Sequence, residues 1–246
     1  MLFRSGKLAL GIAVRTLTVI LIFFVAIVGC GDQFKNLSPK DAIIKANEKL
    51  KDVSGYRMKI DAELIIKEIK QQVTLFGEVK NPGQVHLSGN LAGMDIEIFQ
   101  KENRVFIKTP LTSKWVESKN MGLGNMDDLI STPQKTLNDL KDMIVEAEYL
   151  PDEMISGVDC RVIEYIPSEE KLKKILFEGS ETGDINNVEA KYKVWIGKKD
   201  FLIYKINMDL KYDSKETGQQ FINMTVQFYD FNKGDIKINY PKDLPL

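Results

Sequence analysis

Residues 202–212 read LIYKINMDLKY. Leu202, Tyr204, Ile206, Met208, Leu210 and Tyr212 alternate with Ile203, Lys205, Asn207, Asp209 and Lys211. A period of two sends successive side chains to opposite faces of a strand, so this segment predicts a long strand with one apolar face. A lone hairpin cannot cover such a face in water, so more strands and a covering layer must come from elsewhere in the chain.

The same period recurs on both sides. Ala190, Tyr192, Val194 and Ile196 alternate with lysines before it, and Ile222, Met224, Val226 and Phe228 alternate with Asn223, Thr225 and Gln227 after it. Near the front, Tyr56, Met58, Ile60, Ala62 and Leu64 alternate with Arg57, Lys59, Asp61 and Glu63. Further strands are predicted at 73–80, 84–88, 94–100, 104–109, 114–117 and 158–166, and Ile236 and Ile238 read as a last short one. Asn81-Pro82-Gly83 and Lys101-Glu102-Asn103 are short turn-type links, which imply antiparallel neighbours in a meander.

Three segments carry helical signals. Ser38-Pro39-Lys40-Asp41 offers an N-cap, a proline at the first helical position and an acid at the positive end; Ile43, Ala46 and Leu50 follow at helical spacing, predicting a helix over 39–51. Thr132-Pro133 opens a second, read to Glu146, with Leu137, Leu140 and Ile144. Ser168 caps a third with Leu172, Ile175 and Leu176 as its apolar stripe. A twisted sheet this wide curls. The expected fold is α+β: a curved antiparallel sheet of about ten or eleven strands, an open half-barrel, wrapped around two or three helices.

The front of the chain differs. Arg4, Lys7 and Arg15 precede an apolar run, 16–28, that stops at Gly29-Cys30. This is the layout of a secretory signal, and the run is short of the roughly 20 residues of a spanning helix. An uncleaved anchor is the competing reading; it places Arg15 mid-span at a cost of about 3 kcal/mol. With no acid before Cys30 and a net charge of −1, the body of the chain is mildly acidic. That argues against nucleic acid, whose phosphates demand a basic surface.

Ile27-Val28-Gly29-Cys30 resembles the lipobox of bacterial lipoproteins. The resemblance implies that the Cys30 thiol receives diacylglycerol and that the chain is cut before it, leaving 1–29 as signal, 30–37 as tether and 38–246 as one domain. Two acyl chains on one residue hold a protein stably to a bilayer where one does not. Cys160 would then have no partner in the chain and read as a small core residue.

The order of elements, with the phrases "LKDVSGYRMKIDAEL", "VWIGKKDFLIYKINMDLKY" and "DFNKGDIKINYPKDL", resembles lipoproteins with the half-barrel of the LolA and LolB carriers and of mycobacterial LppX and LprG. That resemblance implies an apolar cavity between sheet and helices that receives the acyl chains of a lipid or lipoprotein. It carries over no individual ligand-contacting residue. The candidate lining is therefore the alternating apolar set itself: Met58, Ile60, Leu64, Val73, Leu75, Met94, Ile96, Ile98, Tyr204, Ile206, Met208, Leu210, Ile222, Met224, Val226 and Phe228. The methionines suit a surface that accommodates variable chains.

Signals for chemistry are weak. His86 is the only histidine, poor material for a zinc site or a triad. Glu178, Glu181 and Asp184 lack the ligand order of a calcium loop. Gly122-Leu123-Gly124 lacks the third glycine and βα context of a dinucleotide fingerprint; 121–126 reads instead as a loop or an apolar flap. The function expected is a lipid-anchored, extracytoplasmic, monomeric, non-enzymatic protein that shields an acyl-chain ligand in transfer or storage and needs no cofactor. The alternative is an envelope scaffold or sensor-regulating lipoprotein with a filled core.

Overall fold

A computed structural model describes residues 34–102, 104–112, 114–118, 141–177 and 185–245. The chain divides at Leu37/Ser38, and residues from Ser38 onward form one compact unit. Cys30, the 121–126 segment, the body of the helix expected from Thr132 and the 178–184 loop lie outside the described residues.

Helix α1 spans Pro39–Lys51. Ser38 Oγ accepts the Asp41 amide N–H at 3.1 Å, satisfying a backbone donor that the first helical turn leaves free. Ala42, Ile43, Ile44, Ala46 and Leu50 are its buried side chains. Eleven antiparallel strands follow: β1 Gly55–Ile66, β2 Ile69–Lys80, β3 Gln84–Leu91, β4 Met94–Lys101, β5 Arg104–Lys108, β6 Val116–Glu117, β7 Ile144–Ile155, β8 Val158–Pro167, β9 Ile185–Gly197, β10 Ile203–Ser214 and β11 Gly218–Tyr229. Helix α2, Glu169–Phe177, sits between β8 and β9.

All eleven strands form one sheet, ordered β6-β5-β4-β3-β2-β1-β11-β10-β9-β8-β7. It is two meanders, β1–β6 and β7–β11, joined where the first strand pairs with the last. That junction runs without a break from Arg57↔Tyr229 to Ile65↔Phe221. The sheet is the curved, open half-barrel expected, with helices packed on one face. Leu50 and Val53, at the end of α1, join Tyr56, Val79, Leu87 and Ile98 in one buried cluster. Leu172 of α2 joins Val188, Met208 and Leu210 in another.

Several sequence expectations need correction. The helix read to Glu146 stops short: from Ile144 the chain is a strand, β7, to Ile155. Register shifts at Ile144/Glu146 and Leu150/Glu153 break its alternation, which hides the strand from a period-two reading. Ile236 and Ile238 form no strand; Ile236 packs beside Gly55, and Ile238 packs on the outer aromatic cluster of Phe99, Phe106 and Trp115. The strand expected at 114–117 is only Val116–Glu117. The first hairpin is longer than read, because Lys67 and Glu68 turn it with φ of 51° and 64°. Both central positions of a type I′ turn have positive φ, which glycine or asparagine usually supplies.

Candidate apolar site on the inner face

Directly paired residues of an antiparallel ladder share a face, so the registers show which side chains stand together. One row crosses nine strands: Tyr149, Ile163, Val194, Ile206, Val226, Ile60, Leu75, Gly89 and Ile96. The next row is Ala147, Tyr165, Tyr192, Met208, Met224, Ala62, Val73, Leu91 and Met94. No charged side chain interrupts either. On one side of them Phe228, Met58, Gly77, Leu87, Ile98 and Ile107 are paired in sequence, and on the other Ala190, Leu210, Ile222 and Leu64.

These four rows hold every candidate lining residue except Tyr204. That ring lies at the β9–β10 end, packed with Cys160, Val162 and Trp195, its hydroxyl donating to Asp200 Oδ2 at 2.7 Å. The rows also bring in Ile163, Tyr165, Val194, Leu87 and Leu91, absent from the sequence-based set. Val194 and Tyr192 carried the period-two signal already; Ala147 and Tyr149 were hidden with β7.

Burial along this face is uneven. Val79, Val85, Leu87, Ile98, Val105 and Ile107 are buried under the end of α1, and Met208 and Leu210 are buried beside α2. Between them Met58, Ile60, Leu64, Val73, Leu75, Ile206, Ile222, Met224, Val226 and Phe228 are only partly buried. The middle of the inner face, on β10, β11, β1 and β2, is thus a continuous apolar band that the helices leave incompletely covered. Two glycines shape it. An ideal Cβ on Gly77 would stand 2.6 Å from Leu87 Cδ2 and 2.8 Å from Met58 Cγ, so these side chains lean across the bare position. At Gly89 a Cβ would stand 2.1 Å from the Thr74 carbonyl oxygen, so the backbones of β2 and β3 approach here only because glycine has no side chain.

The other face carries two apolar clusters, one of Phe99, Phe106 and Trp115 and one of Cys160, Val162 and Trp195, and between them is polar and knitted across strands. Arg57 donates to Glu78, Asp230 and Asp235 at 2.9, 3.0 and 3.3 Å. Thr74 bonds Asp61, Lys191 pairs with Glu164, and Asn207 bonds Thr225. His86 stacks on Phe99 at 4.2 Å, and its Nε2 lies 3.0 Å from Glu97 Oε1, so the single histidine is tied into outer-face packing. Cys160 is a fully buried free thiol, pushed up to about 11 chiefly by burial, and so stays protonated and inert at neutral pH.

Among the described residues no three His, Cys, Asp or Glu side chains cluster to hold a metal ion, and no helix is long and apolar enough to cross a membrane. An open cleft of about 740 Å³ lies where β9, β10 and β11 meet the end of β8, lined in part by Ile65, Ile166, Leu210, Phe221 and Ile222.

The chain matches no known family model and no curated protein sequence. Solved structures do match. LprF from Mycobacterium bovis superposes with a TM-score of 0.52 at 9% identity, covering 84% of this chain and 97% of that one. The chain shares the fold of LprF. The lipoprotein LppX of Mycobacterium tuberculosis (TM-score 0.48, 12% identity, 81% and 96% covered) and a LolA-superfamily protein from Nitrosomonas europaea (0.35, 12%, 83% and 96%) also match. At these identities the likeness is one of fold. The half-barrel here places its apolar rows on the face that bears the helices.

Proposed function

We propose that this half-barrel holds the acyl chain of a lipid or lipoprotein against its inner face, and that a diacylated Cys30 tethers it to the outer side of a cell membrane. The observation that carries the reading is the pair of uncharged rows crossing nine strands, whose central side chains remain only partly buried. Such a band is unstable against water and stable against a hydrocarbon chain. Each Å² of apolar surface removed from water contributes about 25 cal/mol, so a long chain laid along the band binds strongly with no charged or catalytic group involved. Two alkyl chains on Cys30 supply the second signal that stable anchoring requires. The protein works as a monomer and does no covalent chemistry on its ligand.

Native mass spectrometry after mild extraction tests the reading. A lipid retained at one equivalent per chain is the expected result. Repeated recovery of the bare polypeptide overturns it in favour of a scaffold or sensor-regulating protein with a filled core.

A further inference from the structure

Nine large apolar side chains are exposed among the described residues, and they are not spread evenly. Ile69, Met94, Leu111, Val145, Ile166 and Phe221 all lie toward one end of the sheet. The register shows this: counted from the row Ala147–Tyr165–Met208–Ala62–Met94, Val145 and Ile166 lie beyond it on β7 and β8, Phe221 beyond it on β11, and Ile69 beyond it at the β1–β2 tip. Met94 stands at the β3–β4 turn, and Leu111 follows the end of β5. Ile69 is 62% exposed and Leu111 81%. The flanking charges, Lys67, Glu68, Lys70 and Asp95, are two of each sign.

The chain enters the domain at this same end. Lys40, in the first turn of α1, donates to the Ile144 carbonyl at 3.2 Å, and Ile144 is the first residue of β7. The far end of α1 meets Tyr56, at the opposite end of the sheet. Residues 31–37 separate Cys30 from Ser38, and so short a chain spans at most about 30 Å even when fully extended.

We infer that this end of the half-barrel docks on the lipid surface, with Ile69, Met94 and Leu111 entering the interface. The orientation rests on the proposed anchor at Cys30. The tether holds this end within reach of the bilayer, and apolar tips with balanced charges fit a neutral lipid surface better than a charged partner. Docked this way, the strands run toward the membrane and the apolar rows follow one another away from it, so an acyl chain passes along the strands between bilayer and inner face without crossing water.

The test uses the full chain, produced in a bacterium that acylates lipoproteins, in phosphatidylcholine vesicles. An environment-sensitive fluorophore is placed by Ile69→Cys or Leu111→Cys, and by Lys199→Cys at the opposite end; Cys160, fully buried, stays unlabelled. The expected result is a blue-shifted emission at 69 and 111, quenched by a lipid-borne quencher severalfold more than at 199 and unchanged by high salt. Equal quenching at the three positions, or none, overturns the docking. The acyl mass on Cys30 is measured on the same samples. Its presence with tips in water sinks the docking and spares the anchor; its absence with quenched tips sinks the anchor and spares the docking.

Discussion

Tyr165 of β8 and Tyr192 of β9 lie face to face on the inner side of the sheet, ring centroids 4.9 Å apart and planes 9° from parallel. They belong to one uncharged row, and their hydroxyls share its dry surroundings. Burial pushes the Tyr165 hydroxyl well above the ordinary tyrosine range, and Tyr56, at the other end of the face, is pushed up to about 12. Both groups fold in the protonated form, while in the unfolded chain they ionise near pH 10. Their contribution is therefore complete below about pH 10 and is lost as pH rises toward 12 and beyond. Denaturant midpoints measured from pH 9 to 12 are expected to fall steeply in the native protein and less steeply in Tyr165→Phe. Identical curves would count against burial as the cause.

Ile60 separates an open apolar band from a packed core. It sits at the centre of its row, between Val226 and Leu75, and is only partly buried. If the band is open for ligand, Ile60→Trp fills it: the lipid copurifying with the protein is lost and thermal stability is retained. If the core is filled, the same change overpacks it and costs about 1–3 kcal/mol. Melting temperature and lipid content, read on one preparation, decide between the two.

Gly89 and Gly77 are expected to respond differently to alanine. At Gly89 the added carbon meets the Thr74 carbonyl, rigid backbone in the adjoining strand, and Gly89→Ala is expected to cost about 3 kcal/mol. At Gly77 it meets the ends of Leu87 and Met58, which can swing aside. Gly77→Ala should cost about 1 kcal/mol and narrow the band. Urea unfolding of the two variants checks the order; a larger loss at Gly77 reverses the reading.

Acid sensitivity follows from one carboxyl on the outer face and one at the start of α2. Lys233 and then Arg57 hold the Asp230 carboxyl below the usual range, and Lys173 and the Val188 amide do the same for Glu169. A carboxyl with a lowered folded value gives stability that is complete above about pH 4 and is lost as pH falls through that value. The native protein should therefore lose stability below pH 4 more steeply than Arg57→Leu, in which one of these cations is gone. Parallel acid curves would show that Arg57 does not contribute.

How much of this was legible in the sequence depends on the residue. The lining around Ile60, Ile206 and Met224 was readable because a solvated face opposite a buried one imposes strict alternation, and that period survives in one dimension. Helix α1 was readable to the residue because Ser38, Pro39 and Asp41 act within one turn. β7 was not, since its two register shifts and Pro151 erase the period. The C-terminal tail departs from the expectation because Ile236 and Ile238 alternate yet only pack as side chains on the outer face, without joining the sheet as a strand.

The sequence by itself determined which face of the regularly alternating strands is apolar and where the inner helix starts, both consequences of local backbone geometry. Only the tertiary structure decided that β1 pairs with β11, turning two meanders into one sheet and aligning single alternating strands into rows nine strands wide. It also decided that the exposed tips and the start of α1 share one end. Such pairings join residues far apart in the chain, and nothing in the alternation of either strand says which partner will lie beside it.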